Sequence, residues 1–273
     1  KGPPVFVDVS PIDYAIDVTK IEERITPKTK GIIAVSLFGQ CADFDSINEI
    51  ARKHGLWVIE DAAQSFGATY KGRRSCSLTE VAVTSFFPAK PLGCYGDGGA
   101  VFTVDETFAE KVRLLRSHGQ VQRYHHHLLG INGRMDTLQA AILRVKRKHF
   151  EAELHTRRLA ATLYKNLLEG QVFLPEIREY NNSTWAQFTI GVAGRDKLRN
   201  KLQEQGIPSS VHYPLPLPKQ PAFSTLPSCE EEFPVSELLS ETVLSLPMHG
   251  LITKEEVEEV ARVILHVLQE WRR

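Results

Sequence analysis

The sequence predicts an α/β fold, with a mostly parallel sheet that carries helices on both faces and a smaller α+β domain after it. Short apolar segments alternate with amphipathic helical segments through the first half of the chain, which is typical of β–α–β units. Polar and glycine-rich motifs follow directly after several of these apolar segments. The second half begins with a long helical stretch and then mixes strands with helices.

The first half, residues 1–150, is expected to form the large domain. Two helices are predicted, at residues 17–25 and 43–54, and the second is expected to stop at Gly55. Apolar and β-branched runs predict strands at residues 5–9, 31–37, 56–59, 81–86 and 100–104.

Residues 151–273 are expected to form a small C-terminal domain. The helical pattern runs from Arg134 through Leu168, which is longer than a usual globular helix, so we predict a break near Phe150. Strands are predicted after it at residues 185–192 and 209–213. Helices are predicted at residues 196–205, 236–244 and 254–271.

Composition narrows the class of protein. The chain has 273 residues, with 33 basic and 33 acidic side chains and a formal net charge of zero. A nucleic-acid-binding protein would normally show a basic excess, so that class is not favoured. The longest apolar runs are too short to span a bilayer. The four cysteines are scattered without metal-type spacing, which predicts reduced thiols and a cytoplasmic location.

Two features leave alternatives open. The three histidines at 125–127 are interpreted as a loop near a subunit interface or the substrate, and no metal is assigned to them. The chain opens on an apolar segment without an initiator methionine or a leading helix. We interpret this as a missing beginning, although processing would give the same sequence.

Three polar motifs lie where predicted strands end or begin. EDAAQS at 60–65 follows one strand, TSFFPAK at 84–90 ends the next, and GDGG at 96–99 precedes another. Ligands of open α/β sheets bind beyond the carboxyl ends of the strands, so an acid, a hydroxyl and a lysine are expected to converge there. This set suits a cofactor with a basic ring nitrogen, a phosphate and an aldehyde, as in pyridoxal phosphate.

Each of these side chains has an expected role and a competing structural interpretation. Asp61 would keep the pyridine nitrogen protonated, Ser85 would donate to the phosphate, and Lys90 would form the Schiff base. Taken alone, an aspartate after a strand is more often a turn or cap residue, and a loop lysine is usually solvated. The ordered set, rather than any single member, indicates the cofactor site.

Four motifs together resemble the signature blocks of the DegT/StrS-type sugar-nucleotide aminotransferases, which are fold-type-I pyridoxal-phosphate enzymes: EDAAQS at 60–65, SFFPAK at 85–90, GDGGA at 96–100 and NGRMDTLQAA at 132–141. The resemblance implies that Asp61 binds the ring nitrogen, that Gln64 lies near the ring, and that Ser85 binds the phosphate. It implies that Lys90 is the catalytic lysine and favours transamination, since some relatives with histidine there are dehydratases.

The same resemblance implies a homodimer with shared active sites, in which Asn132 binds the phosphate held by the neighbouring subunit. The family has a portion before the segment that begins here. We therefore expect the large domain to be N-terminally incomplete, and the phosphate site with it.

A narrower likeness concerns the substrate. Phe66, the run at 90–99 and RYHH at 123–126 resemble aminotransferases that act on UDP-2-acetamido-2-deoxy-3-oxo-glucuronate. That branch uses glutamate as amino donor in surface polysaccharide and lipopolysaccharide biosynthesis.

The uronate and glutamate both carry carboxylates, which an arginine binds bidentately. Arg134 is the candidate, with a structural ion pair at a helix start as an equally weighted alternative. His212 and Tyr213 are expected to line the sugar site. A 4-oxo sugar nucleotide as substrate, and an inactive truncated paralogue or fragment, stay open as alternatives.

Overall fold

The computed structural model describes residues 2–226 and 229–272. Its α-helices are α1 (Phe44–His54), α2 (Glu106–Leu115), α3 (Thr137–Lys146), α4 (Phe150–Leu168), α5 (Arg195–Glu204), α6 (Pro234–Thr242) and α7 (Lys254–Trp271). Its strands are β1 (Gly31–Val35), β2 (Trp57–Asp61), β3 (Thr69–Tyr70), β4 (Arg73–Arg74), β5 (Val81–Ser85), β6 (Gly99–Thr103), β7 (Gln120–Gln122), β8 (His125–His126), β9 (Asn181–Asn182), β10 (Phe188–Gly191) and β11 (Val243–Leu246). No helix within these two ranges is long and apolar enough to cross a membrane.

The main sheet has the strand order β1-β2-β5-β6. Strands β1, β2 and β5 run parallel, whereas β6 pairs antiparallel with β5. The predicted mostly parallel sheet is therefore confirmed. The carboxyl ends of its three parallel strands meet at one edge, which is where ligands of such sheets bind.

The two faces of this sheet differ in burial. Ile32, Ala34 and Val58 point to one face and pack with α1 in a buried cluster. The opposite face carries the alternate residues, and among them Ile33 is 59% and Trp57 is 49% exposed. Asp61 lies four residues after Trp57 on β2, so its side chain is on this second face. Asp61 pairs with Val83, and Ser85 lies two residues after Val83, so Ser85 is on the same face.

Helix limits follow local signals closely. Asp43 caps α1 by accepting from the Ser46 amide, and Gly55 ends the helix in the left-handed region at a φ of 65°. The predicted break in the long helical stretch is confirmed, since α3 ends at Lys146 and α4 begins at Phe150.

The predictions for the first 25 residues are wrong. No strand forms at residues 5–9, where only Val9 makes an isolated bridge, and residues 17–25 form two 3₁₀ turns instead of a helix. The segment is held by side chains from far along the chain. The buried Asp8 carboxylate accepts hydrogen bonds from the Val235 and Ser236 amides at 3.1 and 3.0 Å and from the Ser236 hydroxyl at 2.6 Å.

Three predictions in the second half also need correction. Residues 209–213 contribute only one bridge, between Ser210 and Ser245, and the strand predicted at 185–192 is confined to β10. The helix predicted at 236–244 ends at Thr242, because the next four residues form β11, which pairs antiparallel with β10 and is fully buried. A short apolar run fits a buried strand and a buried helix equally well by periodicity.

Among the described residues, the apolar core forms three clusters. One spans residues 15–78, a second spans residues 86–154, and the third is built from residues 160–268. The third cluster contains only residues after the predicted boundary at residue 150. The division into residues 1–150 and 151–273 stays a prediction.

Candidate active site

Asp61 and Ser85 stand at the ends of neighbouring strands. Asp61 is the last residue of β2 and pairs with Val83, and Ser85 lies two residues further on the same face of β5. A two-residue step along a strand is about 7 Å. The loop after β2 is tied to β5 as well, because the Thr84 hydroxyl donates to the Ala62 carbonyl at 2.9 Å.

Lys90 lies in the turn that follows β5. Its amide donates to the Phe87 carbonyl at 2.9 Å, and the Phe86 amide donates to the Gly98 carbonyl at 2.7 Å, which closes the turn onto β6. The fully buried Cys94 thiol bonds to the Phe86 and Gly96 carbonyls at 2.9 and 3.1 Å. The lysine is thus displayed by a turn with its own internal bonding.

Burial lowers the pKa of Lys90, and the nearby negative charge of Asp61 partly opposes this shift. Lys90 forms no ion pair or side-chain hydrogen bond within the described residues, so its amine keeps its bonding capacity. A lysine with a lowered pKa has a larger neutral fraction, and the neutral amine is the nucleophile.

Gln64 connects the sheet edge to the second half of the chain. The Phe38 amide donates to its Oε1 at 2.7 Å, and its Nε2 donates to the Tyr213 hydroxyl at 3.0 Å. The Thr184 hydroxyl donates to the Gln64 carbonyl at 3.1 Å. Gln64 is buried, so these bonds fix both its position and its orientation.

His212 approaches the same site from the second half of the chain. Its Nδ1 lies 2.8 Å from the Ser245 hydroxyl. Burial lowers the pKa of His212, and the positive charge of Lys90 lowers it further. The structure therefore brings together five of the predicted site residues: Asp61, Gln64, Lys90, His212 and Tyr213, with Ser85 at the adjacent strand end.

Asn132 and Arg134 are not part of this group. Both are exposed, and Asn132 bridges Ser117 at the end of α2. Arg134 makes no ion pair within the described residues, so the alternative of a structural ion pair at the helix start gains no support. Their roles stay predictions. His125 and His126 form the short exposed strand β8.

Glu60 is a buried residue whose role the sequence analysis missed. It has no exposed surface, and its carboxylate accepts from the Ser75 hydroxyl at 2.7 Å, the Cys76 amide at 2.9 Å and the Leu78 amide at 3.2 Å. Burial raises the pKa of Glu60, and these hydrogen bonds oppose the shift. Alternation along β2 was a usable signal, because it places Glu60 on the face opposite Asp61.

The residues fit pyridoxal phosphate. Asp61 accepts only the Ala63 amide, at 3.0 Å, among the described residues, and so keeps an oxygen for a protonated ring nitrogen. The Ser85 hydroxyl accepts the Phe87 amide at 3.2 Å and keeps its proton for a phosphate oxygen. Lys90 keeps its amine for an aldehyde. An acid, a hydroxyl and an amine with unused bonding capacity thus share one sheet edge.

Comparisons with known proteins show the family to which the chain is similar. The model of the DegT/DnrJ/EryC1/StrS aminotransferase family matches residues 2–265. The Pseudomonas aeruginosa UDP-2-acetamido-2-deoxy-3-oxo-D-glucuronate aminotransferase is 48% identical over 262 residues, which cover 96% of this chain and 72% of that protein. The Acidithiobacillus ferrooxidans UDP-N-acetyl-3-dehydro-alpha-D-glucosamine 3-aminotransferase is 43% identical over 266 residues, which cover 97% of this chain and 72% of that protein.

A comparison of the fold with solved structures also finds a similar protein. The crystal structure of S. venezuelae DesV in complex with a ketimine intermediate superimposes with a TM-score of 0.93 at 37% identity, and covers 97% of this chain and 72% of that chain.

Proposed function

Because the chain belongs to the DegT/DnrJ/EryC1/StrS aminotransferase family, we propose that Lys90, Asp61, Gln64 and Ser85 form its cofactor site and that Lys90 is the catalytic residue. The chain is a sugar aminotransferase that depends on pyridoxal phosphate. The observation that carries the residue assignment is the shared sheet edge. Asp61 ends β2 beside β5, and Lys90 lies in the turn that follows β5. Among the described residues, Asp61 keeps an oxygen and Lys90 keeps an amine without a hydrogen-bond partner.

The proposed chemistry follows from these positions. Pyridoxal phosphate, when bound, supplies an electron sink and a carrier for the amino group. Asp61 holds a proton at the ring nitrogen, and Ser85 donates to the phosphate. Lys90 Nζ takes the proton from the α-carbon of the amino donor and later returns a proton to the sugar carbon that receives the amine. Gln64 and Tyr213 limit how far the ring can move.

Covalent capture of the cofactor tests the assignment of Lys90. Borohydride treatment of the protein with pyridoxal phosphate should attach the cofactor permanently, and mass spectrometry should place it on the peptide that contains Lys90. Lys90→Ala should abolish the attachment. Lys254→Ala is the control, because Lys254 is an exposed lysine at the start of α7 and its loss should change nothing. Equal labelling of the Lys90→Ala protein would refute the assignment.

For the substrate we propose the nucleotide-linked 3-oxo uronate, UDP-2-acetamido-2-deoxy-3-oxo-glucuronate, with glutamate as donor. The names of both curated relatives described above place the keto group at carbon 3, and the more similar of the two names this uronate. Arg134 is exposed and free of ion pairs among the described residues, which leaves its guanidinium available for a carboxylate. His212 and Tyr213 would line the sugar.

A substrate panel separates the candidates. Initial rates should be compared for the 3-oxo uronate, the 3-oxo hexosamine without the carboxylate, and a 4-oxo sugar nucleotide. We expect the uronate to react fastest, and Arg134→Gln should reduce that preference. Activity confined to the 4-oxo compound would overturn the proposal.

We also propose a homodimer in which Asn132 acts on the partner's site. The stretch around it exposes large apolar side chains, with Leu129 at 101%, Ile131 at 69% and Leu138 at 69% exposure. Several large apolar side chains exposed within ten residues of chain are consistent with a subunit interface. In that arrangement the partner's copy of the exposed Asn132 would reach the phosphate that Ser85 binds.

Mixed subunits test this sharing. Lys90→Ala and Asn132→Ala proteins should each be inactive. A refolded equal mixture should regain about a quarter of wild-type activity, because half of the dimers are hybrids with one intact site of two. If Asn132 served its own subunit, no hybrid would contain an intact site and the mixture would stay inactive.

For the cellular setting we propose cytoplasmic surface polysaccharide and lipopolysaccharide biosynthesis. All four cysteines are free thiols, which suits a reducing compartment.

A further inference from the structure

A chain of buried hydroxyl groups stands behind His212. Thr189 on β10 and Ser245 on β11 are register partners, and their hydroxyl oxygens lie 2.8 Å apart. The Ser245 hydroxyl lies 2.8 Å from His212 Nδ1. Thr189 is 0% and Ser245 is 4% exposed, so the chain is shielded from water.

Ser245 also fixes the backbone that carries the histidine. Its amide donates to the Ser210 carbonyl at 2.8 Å, and the Ser210 amide donates back at 3.1 Å. His212 follows two residues later. One residue of β11 therefore holds both the main chain and the ring, which restricts the ring's translation and its rotation.

The donors and acceptors of Thr189, Ser245 and His212 decide which group donates in each hydrogen bond. Thr189 Oγ1 has the Ser245 hydroxyl as its one partner within the described residues, so its proton must go to Ser245. The Ser245 proton then goes to His212 Nδ1. In the reverse direction the Thr189 proton would be buried without an acceptor, which is costly. A neutral ring that accepts at Nδ1 carries its proton on Nε2.

We propose that Ser245, supported by Thr189, is a positioning residue that holds His212 as the neutral Nε2–H tautomer and presents this N–H to the active site as a hydrogen-bond donor. The expected acceptor is an oxygen of the sugar nucleotide, and this last point rests on the proposed function. The lowered pKa of His212, caused by burial and then by Lys90, agrees with a neutral ring. A neutral donor binds an oxygen without adding a second positive charge beside Lys90.

Nitrogen-15 NMR of histidine-labelled protein measures the tautomer directly and needs no substrate. The wild type should show His212 protonated at Nε2 and unprotonated at Nδ1. Ser245→Ala should lower the ratio of the Nε2–H to the Nδ1–H form about fivefold, the factor expected for losing one neutral hydrogen bond. Ser245→Thr keeps the hydroxyl and should restore the ratio.

Two variants of Thr189 and one control variant separate positioning from general destabilisation. Thr189→Val lets the Ser245 hydroxyl turn and accept from Nδ1, so the Nδ1–H form should rise, whereas Thr189→Ser should behave as the wild type. Ser240→Ala is the matched control, since this buried hydroxyl donates to the Ser236 carbonyl at 2.9 Å within α6. It should leave the tautomer unchanged.

A dominant Nδ1–H tautomer in the wild type, or an unchanged tautomer in both Ser245→Ala and Thr189→Val, would overturn the proposal. The kinetic consequence is measured separately. Ser245→Ala should raise KM for the keto sugar about tenfold, while borohydride still attaches the cofactor to Lys90. If no keto sugar reacts but the tautomer results hold, the proposed function fails and the positioning role stands.

Discussion

Gly93→Ala should disturb Lys90 without removing any functional group. A methyl group at Gly93 would lie 2.5 Å from the Pro88 carbonyl oxygen and 2.6 Å from the Phe87 carbonyl oxygen. Real contacts of this kind are essentially never shorter than 3.0 Å, so the backbone must move by at least about 0.5 Å. These two carbonyls belong to the turn that displays Lys90, and neither is the flexible end of a side chain.

The magnitude follows from this displacement. Overpacking of this kind costs about 1–3 kcal/mol of unfolding free energy. A misplacement of about 1 Å at a reacting group costs about a hundredfold in rate, so a shift of half that size should lower kcat/KM about tenfold. Urea unfolding and steady-state kinetics with the keto sugar measure the two effects independently.

Gly55→Ala is the matched control. Gly55 adopts a φ of +65° at the end of α1, and no atom lies within 4 Å of an added methyl group. Alanine should cost about 1 kcal/mol there through backbone strain alone. Gly55 lies before the first residue of β2, whereas Asp61 is its last residue. The strain is therefore at the end of the strand away from Asp61, and activity should not change. If Gly93→Ala kept the wild-type kcat/KM with a loss of stability like that of Gly55→Ala, the account of the Lys90 turn would be refuted.

Two further predictions concern buried carboxylates. Asp8→Ala should lower the unfolding free energy by about 2–4 kcal/mol, against about 1 kcal/mol for Asp105→Ala at the exposed cap of α2; equal losses would contradict this. Burial alone would raise the pKa of Asp8, but hydrogen bonds from Ser236 and backbone amides lower it below the ordinary value of 3.8. The ionised carboxylate therefore stabilises the fold fully above pH 3.8. As the pH falls further, the difference in unfolding free energy between the wild type and Asp8→Ala should narrow. Glu60→Ala should cost about 3 kcal/mol in a urea titration because three donors lose their acceptor, and Glu60→Gln should cost less; a larger loss for Gln than for Ala would refute that role.

Much of the candidate site was predictable from sequence. Asp61 and Ser85 lie at the ends of strands whose apolar runs are local signals, and Lys90 follows the second of them. The carboxyl ends of parallel strands meet at one edge of a sheet. Because these three residues lie at the ends of neighbouring strands, the sequence predicted that they would be close in space. The break between α3 and α4 was predictable for a similar reason, because a helical pattern of that length exceeds a usual helix.

The remaining features depend on contacts between distant residues. The strand predicted at residues 5–9 did not form, and the segment is instead held through the Asp8 carboxylate by amides more than 220 residues away. The hydroxyl chain from Thr189 to His212 required the register of β10 and β11, and β11 itself was mistaken for the end of a helix. No local pattern contains this information.

By itself, the sequence predicted the α/β class and the order of the proposed cofactor motifs around Lys90, because these depend on residue type, spacing and periodicity. The family resemblance had already named Gln64, His212 and Tyr213, but only the tertiary structure decided which hydrogen bonds hold them. It placed His212 and Tyr213 beside the sheet edge, gave Ser245 its position behind the histidine, and left Asn132 and Arg134 exposed. The physical reason is that hydrogen bonds and burial join residues through space, whereas periodicity reports only the element in which a residue lies.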